Sequence, residues 1–62
     1  MTITDAFLVM CLSAHIADTN KQIRQCIKRC QKKLPAHERH VLEPFKKSKN
    51  PRKDIFRALS LL

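Results

Sequence analysis

Apolar residues recur at helical spacing through the first half of the chain, from Asp5 to Leu34. This stretch contains no proline or glycine, so nothing in it interrupts a helix. At about 100° per residue, its side chains form a stripe of the width that a buried helix face has. The residues of this stripe are Leu8, Val9, Leu12, Ile16, Thr19, Ile23, Cys26, Ile27, Cys30 and Leu34. The pattern predicts one long helix over about residues 4–34.

Both ends of this helix carry recognisable signals. Thr2 and Asp5 have the spacing of a capping box, and Thr4 is a competing N-cap. At the other end, Leu34 precedes Pro35, and a residue before proline is disfavoured in the α region. We therefore expect the helix to begin between residues 2 and 4 and to end at Leu34.

The rest of the chain predicts two short helices that fold back on the long one. Pro35 suits the first position of a helix over about 36–43, which Pro44 would end. A basic linker follows at 45–50. Asn50 is a candidate N-cap, and Pro51 suits the first position of a third helix over about 51–61. The apolar face of this last helix is Ile55, Phe56, Leu59 and Leu62. The predicted fold is all-α: a helical hairpin in a single domain, residues 1–62.

The N-terminal half of the long helix is apolar on two sides, which requires two partners. The second set is Ile3, Phe7, Met10, Cys11 and Ala14. The short helices can cover only one side, and an exposed apolar face usually marks an interface. We therefore predict a homodimer that packs through Leu8, Leu12, Ile16 and Ile23.

The net charge of +8 is unevenly distributed. Residues 1–20 hold two acidic residues and no lysine or arginine (−2), whereas residues 21–62 hold 13 basic and three acidic residues (+10). A basic half of this kind favours an anionic partner: a protein with an acidic surface, nucleic acid (DNA or RNA), or anionic lipid. A membrane surface fits less well, because the charge lies opposite a stripe suited to another helix. The predicted contact residues, here called the basic face, are Lys21, Arg24, Lys28, Arg29, Lys32, Lys46, Lys47 and Lys49.

Cys26, Cys30, His37 and His40 form a C-x3-C-x6-H-x2-H pattern, and two thiolates with two imidazoles can bind zinc. The spacing matches no common zinc finger, and both cysteines lie on the apolar stripe, where cysteine behaves as a small hydrophobic residue. Core cysteines are therefore the preferred interpretation, with a structural zinc module as the alternative. We predict no cofactor.

The sequence offers little for catalysis. Ser13, His15 and Asp18 project in different directions from a helix, so they form no triad. A chain without glycine has no phosphate-cradling loop. We expect a protein that is not an enzyme.

The apolar run Ala6–Ala17 is too short to span a bilayer, and Asp5 stands where a secretory signal has basic residues. Three cysteines in a glycine-free chain fit free thiols better than a disulfide scaffold. We therefore expect a cytoplasmic protein.

The chain as a whole resembles a group of phage proteins. The features are the opening Met1-Thr2-Ile3-Thr4-Asp5, the length of 62 residues and the helix–Pro35–helix layout. In these it is similar to the short accessory proteins encoded between the exonuclease and excisionase genes of lambdoid phages. The resemblance implies a small early protein, made in the cytoplasm of an infected bacterium, that shifts the balance between lytic and lysogenic development by contacting host or phage regulators. It transfers no functional residue.

Overall fold

A computed structural model describes residues 1–61, and this part of the chain is helical without any β-strand. Its elements are α1 (Ile3–Ile16), α2 (Asn20–Lys33), a 3-10 helix (Ala36–Leu42), α3 (Glu43–Lys47) and α4 (Pro51–Ser60). The predicted all-α class is confirmed. The arrangement of the helices differs from the prediction in the first half of the chain.

The predicted single helix over residues 4–34 is wrong, because the chain breaks at Ala17–Thr19 into α1 and α2. Thr19 caps α2: its hydroxyl accepts a hydrogen bond from the Gln22 backbone N–H, at 3.3 Å. The Gln22 side chain accepts a hydrogen bond from the Asp18 N–H, at 2.8 Å. From α4, Arg52 donates a hydrogen bond to the Ala17 carbonyl, at the end of α1. Local capping and this tertiary contact together stabilise the break.

The two halves pack as an antiparallel pair. On α2, the Cys26 and Cys30 thiols lie 4.0 Å from the carbonyl oxygens of Val9 and Ala6 on α1. Since residue 26 faces residue 9 and residue 30 faces residue 6, the helices run in opposite directions. The break at residues 17–19 is therefore the turn of a hairpin.

The buried face of α1 is not the predicted one. Leu8, Val9, Leu12 and Ile16 expose 59%, 42%, 63% and 74% of their surface, whereas Ala6, Met10 and Ala14 are buried. Once the helix is broken, α1 is free to turn its other apolar side towards α2, where two alanines allow close packing. The predicted stripe holds in part from α2 to Leu34, where Thr19 is exposed and Cys26 is half-buried. There the buried residues are Ile23, Ile27, Cys30 and Leu34, joined by Leu42 and Ile55.

The C-terminal half follows the prediction more closely. The predicted helix over 36–43 is a 3-10 helix, and α3 occupies the first part of the predicted linker. Pro44 does not end a helix, because it lies in the first turn of α3, where no N–H is needed. Asn50 caps α4 as predicted, its side chain accepting from the Lys53 N–H at 3.3 Å. Leu62, predicted on the apolar face of this helix, lies outside the described residues.

Candidate anion-binding surface

The basic face divides into exposed and engaged side chains. Lys21, Lys28, Arg29 and Lys32 are exposed on α2, and Lys47 and Lys49 are exposed farther along the chain. Within residues 1–61, none of the four α2 side chains forms an ion pair with a carboxylate. These four cations are therefore free to meet an external anion.

Arg24 has a structural role that its sequence position does not reveal. Its Nη2 donates a hydrogen bond to the Ser48 carbonyl at 2.8 Å, holding the connection between α3 and α4 against α2. Nearby, the Asn20 side chain donates to the Lys49 carbonyl at 3.5 Å. Arg24 is therefore less suited to contacting a partner than the exposed lysines beside it.

Lys46 and Lys47 are paired with Glu43. The Lys46 ammonium lies 2.8 Å from Glu43 Oε1, and the Lys47 ammonium lies 3.9 Å from Oε2. Gln31 Nε2 also donates to Glu43 Oε1, at 2.9 Å. The hydrogen bond from Lys46, with that from Gln31, lowers the pKa of Glu43 below its ordinary value.

A cleft of about 330 Å³ lies between α2, the 3-10 helix and α3. It is lined by Lys28, Gln31, Lys32, Arg39, Glu43 and Lys46. Arg39 was not among the predicted contact residues. Arg39 lines the cleft because the 3-10 helix turns back beside the end of α2. There, Arg39 Nε donates a hydrogen bond to the Leu34 carbonyl at 3.2 Å. Basic side chains often bind the free carbonyls at a helix C-terminus. An arginine shortly after Pro35 was therefore the sequence signal that could have predicted this contact with the end of α2.

The four residues of the zinc pattern are not brought together. Cys26 and Cys30 face α1, while His37 and His40 are exposed on the 3-10 helix. Among the residues that the structure describes, no three histidine, cysteine or acidic side chains are placed to hold a metal ion. Burial, with a contribution from the neighbouring Cys26, raises the pKa of the Cys30 thiol to about 11.

Three of the four residues predicted for a dimer interface are exposed. Leu8, Leu12 and Ile16 lie exposed along α1, one helical turn apart. Ile23 is fully buried between the helices of one chain, so its assignment to an interface between two chains is wrong. Val9, also exposed, lies beside the three remaining residues.

These features define a small all-helical protein in which four cations of α2 have no carboxylate partner within residues 1–61, and in which α1 has an exposed apolar face. The chain belongs to the family described as Domain of unknown function (DUF7740), whose model matches residues 1–62. No curated protein and no solved structure matches it. Over residues 1–61, no helix is long and apolar enough to cross a membrane.

Proposed function

We propose that this is a small non-enzymatic regulatory protein of the phage early type, acting in the host cytoplasm. It binds a host or phage macromolecule through the basic face and so influences phage development. One observation carries the proposal: Lys21, Lys28 and Lys32 are exposed on α2 without a carboxylate partner within residues 1–61. The resemblance to lambdoid accessory proteins supplies the phage setting.

A protein with an acidic surface is the partner that fits best. Unpaired lysines along one helix give a charge pattern that a complementary acidic surface recognises, and such complementarity speeds association and selects the partner. Arg24, Lys46 and Lys47 hold or pair with neighbouring parts of the chain. They would therefore support the contact surface rather than form its centre.

A small nucleic-acid-binding protein that acts on transcription is the second candidate. The same lysines could contact phosphates, which would give affinity without much sequence preference. Stacking on bases requires accessible aromatic rings. Here the Phe7 and Phe45 rings pack edge to face at 5.4 Å, and the Phe56 ring lies 4.9 Å from that of His15. The phenylalanines are thus occupied within the fold, which favours the protein partner.

The proposed active form is a homodimer that packs through Leu8, Leu12 and Ile16. Asp5 is the single charged side chain in Ile3–Ile16, counting histidine as neutral, so two copies of α1 can approach without strong charge repulsion. The lysines of α2 would remain accessible in such a pair. Burying exposed leucine and isoleucine side chains provides the driving force.

A charge-reversal variant tests the basic face. Lys21, Lys28 and Lys32 are replaced together by glutamate, and Arg24 is kept because it supports the fold. The control replaces Lys33, Lys53 and Arg57 by glutamate, giving the same change in net charge at exposed positions outside the basic face. We expect the first variant, with helicity unchanged by circular dichroism, to lose both its effect on phage development and the partner that wild type captures from nuclease-treated lysate. The control should retain both.

Retention of both properties by the first variant would refute the proposal. Fluorescence anisotropy with labelled duplex DNA and single-stranded RNA, at two salt concentrations, separates the two candidate partners. Micromolar binding that weakens steeply with salt would favour the nucleic-acid function. No binding at low salt would eliminate it.

A further inference from the structure

The cleft beside α2 has more positive charge than its own carboxylate can neutralise. Four of its six lining side chains are cationic and one, Glu43, is anionic. Glu43 already interacts with Lys46 and with Lys47 just outside the cleft. Lys28, Lys32 and Arg39 have no carboxylate partner within residues 1–61. Three positive charges therefore converge on one concavity without a counterion from this part of the chain.

The walls of the cleft are fixed by hydrogen bonds. Gln31 is 7% exposed, and its Nε2 donates to both the Arg39 carbonyl, at 3.0 Å, and Glu43 Oε1, at 2.9 Å. This one amide joins α2 to the 3-10 helix and to α3. The Arg39 guanidinium is positioned by the Leu34 and Lys32 carbonyls, at 3.2 and 3.5 Å. A positioned guanidinium loses less conformational freedom on binding a ligand.

The size and charge of the cleft select the ligand. A volume of about 330 Å³ is at the low end of the ~300–1,000 Å³ found for ligand pockets. A carboxylate would leave two of the three cations without a counterion. A phosphate monoester carries about −1.5 to −2 charges at neutral pH and three strong acceptor oxygens. Two of the five Arg39 N–H groups, on Nε and Nη2, donate to backbone carbonyls, which leaves the remaining N–H groups on Nη1 and Nη2 for the phosphate oxygens. The two lysines add point charges.

We infer that the cleft lined by Lys28, Lys32 and Arg39 is a binding site for a phosphate dianion, free or carried by a nucleotide. The inference goes beyond the proposed function, because it assigns a ligand to one concave part of the surface and needs no macromolecule. It shares Lys28, Lys32 and Lys46 with the basic face. Arg39 belongs to the cleft alone, and this allows the two proposals to fail separately.

Titration of the full chain, followed by backbone amide chemical shifts at constant ionic strength, tests the site. Inorganic phosphate should produce saturable shifts at the amides of α2, the 3-10 helix and α3, with a dissociation constant on the order of 1 mM. Lys28→Gln and Arg39→Gln should each weaken binding by about tenfold, the effect of losing one charged hydrogen bond. Lys53→Gln on α4 removes the same charge elsewhere and should change affinity less than about twofold.

Two further ligands complete the experiment. Adenosine monophosphate that binds more tightly than inorganic phosphate would identify a nucleotide as the ligand, and equal affinity would show that the phosphate group alone is recognised. Acetate should bind more weakly than either. Equal binding of acetate, shifts that do not saturate, or equal weakening by Lys53→Gln would overturn the inference. The Lys28→Gln variant keeps the site testable if Arg39→Gln unfolds, because the Lys28 side chain is exposed and forms no ion pair within residues 1–61.

Discussion

Gln31 links three segments through one buried amide. Both hydrogen bonds of its Nε2 cross between elements, to the Arg39 carbonyl and to Glu43. Because the Gln31 side chain is itself buried, these hydrogen bonds satisfy its Nε2 and hold the 3-10 helix and α3 against α2. The arrangement of the 3-10 helix beside α2 therefore depends on a polar side chain as well as on the apolar core.

Replacing Gln31 with alanine should lower the free energy of unfolding by about 1–3 kcal/mol, because the Arg39 carbonyl and Glu43 would lose a donor. Gln25→Ala is the matched control on the same helix, where the side chain is exposed, and it should change stability by less than about 0.5 kcal/mol. Urea unfolding measures both variants. Equal losses would mean that the amide contacts contribute nothing beyond helix propensity.

The Cys30 thiol should make the free energy of unfolding depend on pH in the alkaline range. Burial raises the pKa of its thiol from 9.0 to about 11, so the folded chain holds the proton more tightly than the unfolded chain does. Its contribution to stability is complete below pH 9 and is lost as the pH rises from about 9 towards 11. Across this interval the free energy of unfolding of the wild type should fall more steeply than that of Cys30→Ala. Parallel curves for the two proteins would contradict this account.

At the scale of elements, the main event is the break between α1 and α2. Three residues, Ala17–Thr19, replace what would otherwise be one helical turn, and Thr19 satisfies a free N–H at the start of α2. Capping lowers the cost of ending one helix and beginning another. Tertiary packing, of α1 against both α2 and α4, then supplies most of the stability of these helices.

Thr19→Ala should lower the free energy of unfolding by about 1 kcal/mol, the usual effect of removing an N-cap. Thr4→Ala is the control: Thr4 competes with Thr2 as a cap in the sequence but lies within α1, and it should change stability by less than about 0.5 kcal/mol. Thermal unfolding followed by circular dichroism distinguishes the two. An equal loss from Thr4→Ala would show that the effect is not due to capping.

Local signals predicted several of the helix ends, although Pro44 does not end a helix as expected. The capping box of Thr2 and Asp5, the end of α2 before Pro35 and the Asn50 cap of α4 are all present. The break at residues 17–19 was missed because no proline or glycine marks it. The available signal was Thr19 followed three residues later by Gln22, which has the spacing of a capping box. Periodicity alone did not reveal the break, because apolar residues recur at helical spacing across it even though α1 buries its other side.

The exposed lysines of the candidate site could be predicted from the sequence, whereas the cleft beside α2 could not. Exposed lysines on α2 follow from helical spacing, and those positions hold. The cleft depends on how the 3-10 helix returns past the end of α2, which places Arg39 opposite Lys28 and Lys32. The pairing of Glu43 with two lysines likewise depends on where α3 begins. Such contacts arise from tertiary packing, and a single sequence does not encode them as a pattern.

At the scale of the whole molecule, charge and apolar surface lie on different helices. The lysines occupy α2 and the segments after it, whereas the exposed apolar residues Leu8, Leu12 and Ile16 belong to α1. A chain of this size buries a small core, which within residues 1–61 is one cluster of nine residues. Such a core gives limited stability, so association through α1 would add what the monomer lacks.

The dimer proposal leads to a directional experiment on α1. Light scattering at micromolar concentration should give the mass of two chains for the wild type and of one chain for Leu12→Gln, because Leu12 lies at the centre of the exposed face between Leu8 and Ile16. The control is Leu61→Gln, since Leu61 is 83% exposed, more than the 63% of Leu12, and lies outside α1. It should remain dimeric. A monomeric wild type, or equal dissociation by both substitutions, would refute an interface on α1, whereas loss of association in Leu12→Gln alone would locate it there.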